Sequence, residues 1–111
     1  MAEEVRTNTG VDVVSEIVFK APLPNMPGKE VALYRVRYGP SGAQEPHSHS
    51  GFALGYVLGG SVVVAVGDGP ETPYSEGDVF SENPFEVQAV SRNASSERTA
   101  TTLVFLVKDS E

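Results

Sequence analysis

Short apolar runs, each closed by glycine, proline or a polar cluster, cover most of this chain, and no stretch keeps the three-to-four-residue apolar spacing of an amphipathic helix. Residues 11–20 are rich in Val, Ile and Phe, and the run ends in a segment carrying Pro22, Pro24, Pro27 and Gly28. Residues 30–38 alternate as a strand with one face toward a core would, and Gly39-Pro40-Ser41-Gly42 reads as a turn. Residues 52–58 and 61–66 form two further runs joined through Gly59-Gly60. Gly67-Asp68-Gly69-Pro70 then reads as a hairpin loop and Ser75-Glu76-Gly77-Asp78 as a tight turn. Residues 79–82, 85–92 and 99–107 complete the set, with 93–97 as a polar connection. Short strands recurring at about 8 to 12 residues predict an all-β sandwich or barrel.

Composition narrows the possibilities. The chain has 111 residues, of which 40% are hydrophobic and 21% charged, enough for one folded domain with one core. The expected division is an N-terminal arm over 1–10 and a single β-barrel domain over 11–108. A formal net charge of −7 argues against nucleic acid or an anionic membrane as the main partner, since either calls for clustered Lys or Arg. There is no cysteine, which excludes disulfides, thiolate metal sites and cysteine nucleophiles. The first residues lack a basic segment followed by an apolar run, and no apolar stretch approaches membrane-spanning length, so a cytoplasmic protein is expected.

The chemistry concentrates in Glu45-Pro46-His47-Ser48-His49, which holds both histidines of the chain. On an extended segment, side chains two apart share a face, so both imidazoles point the same way. Neutral imidazole accepts most divalent transition ions, and two imidazoles on one rigid segment make a candidate metal pair. An inert surface His-x-His is the plain alternative.

The stretch from 42 to 93 resembles the two-part signature of the cupin superfamily, small barrels of the double-stranded β-helix or jelly-roll type. Pro46 before His47-Ser48-His49, followed by Tyr56-Val57-Leu58-Gly59-Gly60, resembles the first motif. Gly77-Asp78, Asn83-Pro84 and Ser91-Arg92-Asn93 resemble the second. The resemblance implies a cupin-2 type barrel, a divalent metal (Zn, Mn, Ni or Fe) held by His47 and His49, and a homodimer formed by strand pairing near residues 11–20. The chain also departs from the motifs. Ala53 stands where the family usually carries a glutamate ligand, Gln88 where its third histidine falls, and Phe85 where the second motif has glycine. Gln88 offers only a neutral carbonyl oxygen to a metal. Glu82, before the second-motif proline, is the alternative acid.

These residues leave three arrangements open. A metal could be held by His47, His49 and Gln88, with Glu82 or water completing the shell; a weaker site could fill only with a chelating substrate; or a histidine and Glu82 could move protons with no metal. Ala53 and Gly55, both small, are expected to leave a roomy pocket, with Gln88 and Tyr56 also lining it. Such a pocket suits a mostly apolar, oxygenated small molecule. The expected function is a non-redox proton-transfer enzyme (isomerase, cyclase, dehydratase or decarboxylase) with His47, His49 and Glu82 as catalytic groups. A non-haem metal-dependent dioxygenase and a non-catalytic ligand-binding barrel are the alternatives.

Overall fold

The computed structural model describes residues 6–110, with side chains from residue 10 onward. Eight antiparallel strands follow in chain order: β1 (Arg6–Pro22), β2 (Lys29–Gln44), β3 (Phe52–Gly59), β4 (Ser61–Val66), β5 (Thr72–Ser75), β6 (Val79–Glu82), β7 (Gln88–Asn93) and β8 (Ala100–Asp109). They pair in the order β5-β4-β7-β2-β8-β3-β6, with β1 added along β2. The result is a jelly-roll barrel, and the described residues include no helix, so none long and apolar enough to cross a membrane. Residues 6–10, assigned from sequence to an arm, belong to β1; residues 1–5 lie outside the described residues.

The strand β2 belongs to both walls of the barrel. Its first ten residues pair with β8 from Lys29↔Asp109 to Tyr38↔Ala100, whereas Ala43 pairs with Arg92 of β7. Between them lies Gly39-Pro40-Ser41-Gly42, which does not end the strand as the sequence reading expects. It forms a wide bulge: Val13 pairs with Tyr38, and Val11 pairs with Ala43. Asp12 and Ser41 both take positive φ at this corner, 56° and 59°. Bulges of this kind let one strand turn from one sheet into the other.

The core lies between the two walls. Val13, Val36, Tyr38, Val57 and Phe80 come from one wall and Val62 and Val64 from the other, with Ala100 at the start of β8. Each fully buried Val or Phe contributes about 1.5–3 kcal/mol by leaving water. Tyr74 packs its ring against Phe80 with centroids 5.0 Å apart. Asn93, buried at the end of β7, ties the corner together. Its Nδ2 donates to the carbonyls of Arg98 (2.7 Å) and Gly39 (3.0 Å), with Tyr38 O at 3.3 Å as a shared acceptor, and its Oδ1 accepts from Ser95 N (2.9 Å).

On β3 alternation is strict: Ala53, Gly55 and Val57 face inward, and Phe52, Leu54, Tyr56 and Leu58 face outward. Their outward neighbours Phe105 on β8 and Val79 on β6 are also exposed, so this wall is apolar on both sides.

Candidate active site

After β2 ends at Gln44, the histidine segment leaves the sheet and touches it again only at a single bridge. His47 N donates to Gln88 O (3.3 Å) and Gln88 N to His47 O (2.7 Å). The segment is therefore not a regular strand, yet His47 and His49 line one cavity of about 160 Å³. Glu82 stands with them, and Val36, Val104 and Leu106 from β2 and β8 make the apolar side. A larger cavity of about 500 Å³ is lined by Asp12, Glu16 and Arg37. It contains no histidine, so the smaller cavity is the candidate site.

The two imidazoles are anchored alike and used differently. His47 Nδ1 lies 3.0 Å from Glu45 O, and His49 Nδ1 lies 2.7 Å from Gly51 O. A carbonyl oxygen only accepts, so both Nδ1 atoms carry hydrogen, and the chemistry of each ring is left to Nε2. His49 Nε2 lies 2.8 Å from Glu82 Oε1. Either Nε2 carries a proton and donates it to the carboxylate, or a protonated Glu82 donates to Nε2. One proton is therefore shared between two atoms built to exchange it.

The register of β3 explains the position of the acid. Ala53 pairs directly with Glu82 across β3 and β6, so the two side chains share the inner face. Ala53 and Glu82 are both buried there, the one with only a methyl and the other with a carboxylate. The carboxylate missing at position 53 is supplied by its neighbour on the next strand. Tyr38 lies near this acid. Burial above all, and then the charge of Glu82, push its phenol well above the ordinary tyrosine range, so it stays protonated and donates to Gln44 Oε1 at 3.0 Å. Gln44, two residues beyond the turn read at 39–42, is also part of the cavity wall.

The other expected pocket residues divide. Gln88 is buried to 1% exposure beside His47, and its amide Oε1 and Nε2 have no hydrogen-bond partner. Gly55 faces inward but leaves no room for a substrate. A Cβ there would lie 2.2 Å from Cζ of Phe80, so the aromatic ring occupies the space that the glycine opens. This corrects the expectation of a roomy pocket. Tyr56 is outside the barrel and does not reach the cavity.

A metal held by both histidines would need further ligands from the cavity wall. Among the described residues no group of three or more His, Cys, Asp or Glu side chains is placed to hold an ion. His49 Nε2 is already engaged by Glu82, and the amide of Gln88 is a weak neutral donor. The side chains as placed do not form a ready metal centre, and no chemical step is derived through one here.

A nearly closed antiparallel barrel whose cavity is lined by a histidine pair and an acid belongs to the jelly-roll class. The cupin domain family model matches residues 34–106, and the chain belongs to that family. Solved structures agree on the fold. The polyketide cyclase RemF from Streptomyces resistomycificus is 19% identical, with a TM-score of 0.70, covering 98% of this chain and 80% of that one. KdgF from Halomonas sp. is also 19% identical, with a TM-score of 0.66 and coverage of 92% and 86%. An oxalate oxidase is 20% identical at a TM-score of 0.59; the match covers 68% of this chain and 41% of that longer one. The search of curated proteins finds no match.

Proposed function

We propose that this cupin is a small-molecule enzyme that moves a proton without net redox change, with His49 and Glu82 as its acid–base pair. The observation that carries this reading is the 2.8 Å contact between His49 Nε2 and Glu82 Oε1, with the far nitrogen of the ring fixed on Gly51 O. A proton taken from carbon beside a substrate carbonyl goes onto the pair, and the pair returns one proton at another substrate atom. The balance is zero, and no oxidant is required. His47, with hydrogen on Nδ1, offers the lone pair of Nε2 to a substrate hydroxyl. Isomerisation, cyclisation and dehydration contain such a step, decarboxylation contains only its second half, delivery of a proton to the carbon that loses CO₂, and the fold likeness to a polyketide cyclase is compatible with cyclisation. Acid–base groups of this kind supply about 10²–10⁴-fold in rate.

The test is deuterium wash-in from D₂O at the carbon beside the carbonyl of monocyclic ketones, followed by proton NMR. Wild type should accelerate exchange, and Glu82→Gln and His49→Ala should abolish the acceleration. Ketones that bind wild type without any exchange would instead make the barrel a non-catalytic binder. In a metal-assisted version His47 Nε2, left open by the anchoring of its Nδ1, would ligate the ion, and His49 Nε2 would have to leave Glu82 to join it. Plasma mass spectrometry of metal-free-dialysed wild type beside His47→Ala/His49→Ala decides it, and iron retained by wild type alone would favour the dioxygenase reading. We also propose a homodimer. The outward Phe52, Leu54, Leu58 and Phe105 give a copy an apolar wall to cover, and a monomer in light scattering at micromolar concentration would remove the idea.

A further inference from the structure

The turn from 83 to 87 runs from Glu82, which lines the candidate cavity, to Gln88, which is bridged to His47. At its centre Phe85 takes φ of +65°, in the left-handed region that a bulky residue enters at a cost of about 1–2 kcal/mol. Phe85 is also 74% exposed, so its ring gains little from burial in return, and Val87 beside it is exposed too. The strained conformation is held firmly. Phe85 N donates to His49 O at 2.7 Å, Gln88 N to His47 O at 2.7 Å, and Gly67 N to Val87 O at 2.9 Å. Asn83 N donates to Glu86 Oε1 at 3.2 Å, closing the turn from within. A large, exposed apolar side chain is thus carried on a turn whose backbone is bonded to both histidine residues. Strain of this kind, over-determined by its surroundings, is the mark of a functional position.

The cavity supplies the complementary fact. Its volume of about 160 Å³ is close to that of a cavity that takes one benzene ring. His49 lines this cavity with its side chain one-fifth exposed, and its carbonyl accepts from Phe85 N, so the exposed turn is bonded directly to a residue of the cavity wall. We propose that residues 83–87 form a fixed apolar rim in which Phe85 determines specificity. The substrate is then a two-part molecule: a single oxygenated ring in the cavity, joined to a second planar apolar ring that lies on Phe85 and Val87. The proposal rests on the reading of the cavity as the substrate site.

Binding of phenol and of 4-phenylphenol, measured by titration calorimetry, tests both parts. Wild type should bind 4-phenylphenol at least tenfold more tightly than phenol. In Phe85→Gly phenol affinity should be kept while the gain from the second ring falls below threefold, and Phe85→Tyr should keep the gain. Thermal melting establishes that the variants are folded. A gain that is the same in wild type and Phe85→Gly overturns the rim and leaves the cavity reading intact. Failure of wild type to bind phenol overturns the cavity reading and the rim with it.

Discussion

Phe80 and Phe85 lie five residues apart and stand for two regions built on opposite rules. On the barrel floor Phe80 is buried, fills the space that Gly55 opens on the facing strand, and meets the ring of Tyr74. At the mouth Phe85 is exposed, in a conformation that glycine would adopt more easily, and is bonded to the segment that carries the histidines. On the floor local preference and packing agree; at the mouth they conflict, which is where function is expected to reside. The difference between the regions teaches that an aromatic residue in a short apolar stretch can serve stability or recognition, and that its backbone angle separates the two.

The largest expected effect lies in the cavity behind the mouth. Glu82→Gln keeps the shape of the side chain and removes the carboxylate, so deuterium exchange should fall about 10²–10⁴-fold while thermal melting moves little. An unchanged exchange rate would end the assignment of the acid. On the floor the effect should be on stability alone: Phe80→Ala should cost about 3 kcal/mol in chemical denaturation. Gly55→Ala should cost about 1–3 kcal/mol through overpacking. Because the two residues share one space, the double variant Gly55→Leu/Phe80→Ala should be more stable than the sum of the single losses implies, and strict additivity would contradict the pairing. Phe85→Gly should reverse the usual sign of a large-to-small change, stabilising the fold by about 0.5–1 kcal/mol as the positive φ is relieved; a loss of stability would mean the ring packs on something in the folded state.

The smallest effect concerns pH. The phenol of Tyr38 is raised above its ordinary value of 10.0, so above that pH the unfolded chain releases a proton that the folded chain retains. Stability from this group is complete below pH 10 and declines as pH rises toward the folded value. Denaturant midpoints should fall above pH 10 in wild type and less so in Tyr38→Phe, and ultraviolet titration should find one of the four tyrosines lagging behind the others.

Much of this was legible from residues alone. The strands over 52–58, 61–66 and 79–82 fall where alternation and turn residues place them, and the family motifs direct attention to His47, His49, Glu82 and Gln88. What was hidden has physical causes. The strand β5 contains Pro73, which weakens a strand signal, and it survives because β5 lies at the edge of the sheet. The bulge at 39–42 uses the same residues as a turn, so the continuation of β2 and the cavity position of Gln44 are invisible to periodicity. In β3 both faces are apolar, and composition alone does not place Tyr56 outside. The glycine at 55 marks close approach, but only the facing strand reveals that Phe80 fills the space.

Asn93 carries a consequence for the order of assembly. Its amide joins the carbonyls of Tyr38 and Gly39, more than fifty residues away, to that of Arg98 just beyond it. Those partners meet only after β2 has bent into the second wall and the 94–99 connection has been laid across the corner, so the latch closes late, when most of the chain entropy has already been lost. In pulse-labelling hydrogen exchange during refolding, the Ser95 amide, bonded to Asn93 Oδ1, should gain protection after the amides that link β2 to β8. Protection of Ser95 ahead of them would instead make the corner the nucleus from which the barrel grows.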